Sequence, residues 1–192
     1  MARPRRDAEG PTARERLAAA FWEELEETPF ERMTARGIAA RAGVNHNTFY
    51  RHFDGMEDMA AALFDDIVLA DVPALILGAA EEGTLPEAAA SIKPDPEPLR
   101  RAMLFARSGS GLLSSMLREK LAAAWLGALG IDPASLTTRQ RAICDVVFGG
   151  IVTAMGDPAL EPDPAFLGLA MASPLGQAMA AALLDMGRTR LP

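Results

Sequence analysis

The sequence predicts an all-α fold, with a small three-helix head over residues 11–55 and a larger helical body over residues 56–192. Three observations carry this. Alternating runs of β-branched residues are absent, while Ala, Leu, Met and Glu dominate. Apolar residues recur at three- and four-residue spacing. Pro and Gly punctuate the chain at intervals that suit short helices. The 192 residues fit one domain or a head joined to a body, and the 49% hydrophobic content is enough for a sizeable core.

Residues 1–10, MARPRRDAEG, are expected to form a flexible basic arm; they lack the apolar stretch of a secretory signal. Thr12 to Glu27 forms the first helix, with Leu17, Phe21 and Leu25 repeating every fourth residue. "TPF" ends it, because proline disfavours helix in the residue before it. Thr34 can cap a second helix, Ala35 to Arg41, and "AGV" makes a sharp turn. Asn45 can cap a third helix reaching about His52. Val44 and Phe49 have the spacing of a hydrophobic staple, which fixes how the chain enters that helix. The body reads as helices at Met56–Ala70, around ALILGAAEEG and LPEAAASI, and at Leu99–Ala106, Gly111–Leu129, Thr137–Met155 and Leu175–Arg188. KPDPEP and GDPALEPDP read as loops.

Composition removes several function classes. One cysteine, Cys144, allows no internal disulfide and fits a reducing, cytoplasmic setting; it is expected to be a buried small apolar residue. The uncharged stretch Pro164–Leu184 is interrupted by SPLGQ, so no membrane span is expected. "SGSGLLSS" lacks Gly-x-Ser-x-Gly spacing, both histidines lie in the head, and Asp65 and Asp66 point to different sides of a helix. No catalytic residue, enzyme activity or cofactor is therefore expected. His46 and His52 are six apart, wrong for a shared metal on one helix face. The net charge of −7 means that binding to nucleic acid requires a local basic surface.

AGVNHNTFYRHF, residues 42–53, offers one. At 100° per residue, Phe49 and Phe53 share an apolar face above Val44, against which Ile38, Ala39 and Ala42 can close. The opposite arc carries Asn47 and Arg51, flanked by Thr48 and Tyr50, with His46 and His52 at its borders. Two short helices joined by "AGV" match a helix-turn-helix, whose second helix enters the major groove. Asn, Arg and His can hydrogen-bond base edges there, and Tyr can hold phosphate. From Arg32 to Phe53 there are four arginines (Arg32, Arg36, Arg41, Arg51) and no acid.

The stretch MTARGIAARAGVNHNTFYRHFDGMEDM, residues 33–59, resembles the TetR family of bacterial transcriptional regulators. It shares that family's Thr, Ile-Ala pair, Ala-Gly-Val, short recognition helix with Tyr and an aromatic, and acidic start to a fourth helix. The resemblance implies a DNA-binding head and a C-terminal ligand-binding and dimerisation body. Carried over by position, Thr34, Arg36, His46, Asn47, Thr48, Tyr50, Arg51 and His52 are the candidates for contact with double-stranded operator DNA. The chain departs from the pattern at Met56, where a Lys is common, at Gly55, where Ser is frequent, and at Gly37.

In the body, Met103, Phe105, Met116, Leu121, Trp125 and Phe148 either pack the core or line an apolar pocket, which the resemblance implies. Arg107 and Asp145 are candidate polar contacts there. The last helix is apolar nearly all round and needs cover on two sides. Gly149, Gly150, Ala154, Leu175, Met179 and Leu183 are candidates for a homodimer interface, matching the four-helix dimer of the family. One functional expectation is a homodimeric repressor released from its operator by a small apolar ligand. The alternative is a small-molecule-binding protein or enzyme with a vestigial helix-turn-helix head.

Overall fold

The computed structural model describes residues 10–64, 67, 71–91, 96–160, 170 and 172–188. These form α-helices and two 3₁₀ turns, with no strand among the described residues. The chain divides into two compact units, Met1–Leu63 and Phe64–Pro192.

The first unit opens with α1 (Ala13–Glu27), which starts at a full capping box. The Thr12 hydroxyl takes the Glu15 N–H, and the Glu15 carboxylate takes the Thr12 N–H at 2.7 Å. That backbone bond, then the Thr12 hydroxyl, holds the Glu15 carboxyl below its usual range. Thr28 leaves the helix in extended conformation just before Pro29. A 3₁₀ turn, Phe30–Arg32, follows where the sequence showed no element. It brings Phe30 edge-on to Phe21, with ring centroids 6.4 Å apart.

Helix α2 (Ala35–Arg41) is capped by Thr34, whose hydroxyl accepts from Gly37 N–H at 3.1 Å. Gly37 therefore sits in the first turn, not the helix interior. A Cβ there would lie 3.2 Å from the Thr34 hydroxyl oxygen, a tight contact. The turn to α3 is a Schellman closure: Gly43 N–H donates to Ala40 and Val44 N–H to Ala39. Gly43 has φ +63, a conformation that costs side-chain-bearing residues about 1–2 kcal/mol.

Asn45 caps α3 (His46–Phe49) through a 2.8 Å bond from Asn47 N–H. The helix is shorter than expected. The Phe49 carbonyl accepts from both His52 and Phe53 N–H groups, so the chain tightens into a turn instead of continuing to His52. Phe49 and Phe53 are buried, as are Ile38 and Ala39. Helix α4 (Met56–Phe64) follows.

The two compact units divide after Leu63, within α4. Met59, Ala60 and Leu63 of that helix are all buried. The expected continuation to Ala70 falls mostly outside the described residues, as do Asp65, Asp66 and residues 1–9.

The second unit contains α5 (Asp71–Glu82), α6 (Leu85–Ser91), α7 (Pro96–Arg107), α8 (Gly111–Ala128), α9 (Thr138–Met155) and α10 (Pro174–Arg188). Pro96, expected in a loop, opens α7, and Pro174 opens α10 one residue ahead of its expected start, each at a position where a missing N–H costs nothing. Residues 93–95 and 161–164 of the expected loops lie outside the described residues. Ser110 caps α8, and Thr137 with Gln140 forms a capping box on α9.

Helix α8 packs against α5, α7 and α9. Helix α9 turns Cys144, Val147, Phe148, Val152 and Met155 inward, and burial raises the Cys144 thiol pKa, with Asp145 adding to it. Phe64 stacks on Phe105 at 5.0 Å between ring centroids. The Lys120 ammonium donates to the Phe64 carbonyl at 2.7 Å and lies 4.9 Å from the Phe64 ring centroid.

Candidate nucleic-acid interface

Seven of the eight predicted contact residues are exposed, and Thr48 is half-buried. The Schellman turn and the Asn45 cap set the start of α3. Burial of Phe49 and Phe53 then fixes which arc faces solvent, and that arc carries the polar residues.

The side chains are not equally free. His46 meets Tyr50 edge-on at 4.9 Å, and Tyr50 in turn meets Phe49 at 5.3 Å. Tyr50 is thereby propped outward, 51% exposed. Arg51 Nη2 donates to Thr48 Oγ1 at 3.2 Å. His52 leans on Phe53, with centroids 6.3 Å apart. The Thr34 hydroxyl is committed to Gly37 N–H as an acceptor but keeps its own proton to donate. Asn47 and Arg36 have no side-chain partner among the described residues.

The structure alters the expected basic surface in one respect. Arg41 pairs with α1, Nε at 2.8 Å from Glu24 and Nη2 at 2.6 Å from Glu27. The bond to Glu27 raises the Arg41 pKa, and that same bond holds the Glu27 carboxyl below its usual range. Arg41 thus ties α2 to α1 and leaves the set of available cations, while two acids of the EELEE cluster are neutralised. Sequence spacing could not show this, because the partners are 14 and 17 positions away. Conversely, Arg14 sits 5.8 Å from the Phe53 ring centroid, an exposed cation on this unit that the motif did not single out.

In the body, Met103, Phe105, Leu121, Trp125 and Phe148 are buried and Met116 is half-buried. Trp125 lies 6.4 Å from Phe148 between ring centroids. Two clefts of about 400 and 470 Å³ are described there, and none of these six residues lines either. The clefts flank Leu184, one reaching Leu77 and Leu129, the other Leu85 and Ala181. The expected polar contacts are engaged elsewhere: Arg107 donates to the carbonyls of Asp157 and Leu160, and Asp145 lies 3.8 Å from Arg118.

The dimer candidates separate by exposure. Leu183 is only 2% exposed and belongs to the interior of its own unit. An all-round apolar helix hides which stripe faces inward; here it is Gly176, Ala180, Leu183, Leu184 and Met186. Leu175 is 70% exposed, and Gly150 and Ala154 are also exposed, while Gly149 and Met179 are intermediate. Val146, which the periodicity did not single out, is 76% exposed on the outer side of α9. Among the described residues no helix is long and apolar enough to cross a membrane.

Residues 17–63 match the family model described as bacterial regulatory proteins, tetR family. No curated protein matches the chain. Among solved structures the chain is similar to the TetR family repressor AlkX from Dietzia sp. strain DQ12-45-1b, implicated in biodegradation of n-alkanes. Identity is 19%, coverage is 92% of this chain and 97% of that one, and the TM-score is 0.45.

Proposed function

We propose that the chain, whose residues 17–63 match the tetR family of bacterial regulatory proteins, is a cytoplasmic transcriptional repressor that leaves its operator when a small apolar ligand binds the body. The observation that carries the reading is the outward arc of α3 and the turn after it. Asn47, Arg51 and Tyr50 are exposed there on a helix whose other side is locked into the core by Phe49 and Phe53. An arc of this composition can satisfy base edges and phosphates together. A structural role alone would not require three hydrogen-bonding side chains on one exposed arc.

A homodimer supplies the second reading head. Val146 and Leu175 leave large apolar side chains in water on the outer sides of α9 and α10, beside small residues that permit close approach. A second copy would cover them, and two-fold symmetry would set two recognition helices in successive major grooves. The clefts flanking Leu184 offer volume for an apolar ligand. Such a ligand must bind the DNA-free state more tightly than the DNA-bound one, or it shifts nothing.

The test is selection from a randomised duplex pool with the purified chain at modest salt. A repressor of this kind enriches a two-fold-symmetric site with half-sites about one helical turn apart, or a multiple of it. Adding a panel of apolar compounds to the recovered complex then identifies those that release it. No enriched sequence would reject the repressor reading and leave the small-molecule-binding or enzymatic alternative standing.

A further inference from the structure

We propose that Thr48 is a positioning residue that aims Arg51 at a guanine in the operator half-site. The proposal rests on the DNA-binding reading above and specifies which base that reading should find.

Helix α3 ends at Phe49, so Arg51 lies beyond it, in the turn of residues 50–52. In a helix-turn-helix the first turn of the recognition helix reaches base edges. By position alone, Arg51 would sit too far along to do so and would meet the sugar-phosphate backbone. The bond from its Nη2 to Thr48 Oγ1, at 3.2 Å, draws the guanidinium back along α3 toward that first turn. Thr48 suits this task. Its β-branched side chain is stiff at χ1, and half-burial beside the core face restricts it further. The hydroxyl oxygen is therefore a well-placed acceptor, and it is the oxygen, which serine also supplies, that holds Arg51.

The tether also selects the partner. A guanidinium carries five N–H donors in a planar fork, and Thr48 uses one of them. Nε–H, both Nη1 hydrogens and the second Nη2 hydrogen remain, enough for a bidentate pair. Guanine presents two coplanar acceptors, O6 and N7, to the major groove, whereas adenine presents one acceptor and one donor. A fork held at a set angle matches the first and is repelled by the donor of the second. A phosphate needs no such constraint, because it accepts from a freely swinging arginine at many angles. Asn47 and Tyr50 differ in this respect: Asn47 is untethered, and Tyr50 is braced by an aromatic edge, not by a directional bond.

The experiment uses the full chain as wild type, Thr48→Ser, Thr48→Val and Arg51→Ala. Each is taken through duplex selection, and its affinity is measured for the recovered site and for that site with each G·C pair changed to A·T. The wild type should discriminate about fivefold or more at one guanine of the half-site. Thr48→Ser should keep that preference, and Thr48→Val, which has the same shape without the acceptor, should lose most of it. Arg51→Ala should lose it entirely. Preferences at other positions should stay unchanged in all three, a pattern that a general loss of folding would not produce. A guanine preference that survives Thr48→Val or Arg51→Ala overturns the proposal, as does failure of Thr48→Ser to retain it. A wild type that selects no sequence sinks the DNA-binding reading itself, and the two failures are thereby told apart.

Discussion

Between Thr34 and Phe53, the head assigns nearly every residue a local role. Thr34 and Asn45 cap, Gly43 turns, Phe49 and Phe53 anchor, and the residues left over face outward. Helices α9 and α10 of the body obey the same physics, with a capping box at Thr137 and a clean inward stripe on each. Yet their outer faces carry small and apolar residues that satisfy nothing within the described unit. The comparison teaches where function becomes legible in a helical protein. Short helices are set by named polar side chains, so the residues not needed for structure stand out. Long helices are set by a repeating apolar stripe, which many side chains satisfy equally well.

The strongest way to break this comparison is to excavate each core. Phe49→Ala and Phe148→Ala both truncate rings that are fully buried, and each should cost about 3–5 kcal/mol. The chain has two tryptophans, one per unit: Trp22 in the head and Trp125 in the body. Each can be kept as sole reporter by replacing the other with Phe. Phe49→Ala should shift the urea midpoint seen by Trp22 more than that seen by Trp125, and Phe148→Ala the reverse. Equal shifts in both reporters would mean one cooperative unit, and the contrast between regions would collapse.

Next in size is Leu175→Glu. It places a charge on an exposed apolar side chain, so it should weaken self-association about tenfold or more while helix content stays unchanged. Sedimentation against concentration, with circular dichroism alongside, measures both. A wild type that sediments as a monomer at micromolar concentration removes the interface from the body.

Cap removal separates structure from recognition. Thr34→Ala and Thr137→Ala should each cost about 1 kcal/mol, since each hydroxyl caps a helix. Only Thr34→Ala should also weaken DNA binding. If Thr137→Ala lowers affinity equally, the head depends on the body for its shape.

The smallest effect concerns acid. Bonding to Arg41 depresses the Glu27 pKa in the folded head. A depressed carboxylate stabilises the fold above its ordinary range, and that stabilisation is lost as pH falls through the folded value, below about pH 4. Glu27→Gln should flatten this part of the head's pH–stability curve without affecting the body reporter. The pair is exposed, so solvent and salt keep the difference small.

How much of this was legible in the sequence follows the same division. The order of helices, Thr34 and Asn45 as caps, and the buried Phe49 and Phe53 could be derived from spacing and residue type. The early end of α3 could not, because it depends on how one carbonyl is shared between His52 and Phe53. The Arg41 bridge to Glu24 and Glu27 was hidden because it depends on how α2 crosses α1. On α10, Leu175 and Leu183 look alike in sequence; only the packed unit shows that one is solvent-facing and the other interior.

The cations of the head have a consequence beyond geometry. Apart from its two histidines, the basic side chains in residues 1–63 are all arginine, and the two lysines of the chain, Lys93 and Lys120, lie in the body. A guanidinium stays charged at any pH a cell reaches, and lysine acetyltransferases have no amine there to neutralise. The arginine charge of the head is therefore insulated from the commonest enzymatic means of erasing charge on a DNA-binding surface. For the same reason, amine-reactive dyes applied to this protein will label the body's lysines and leave the side chains of α3 untouched.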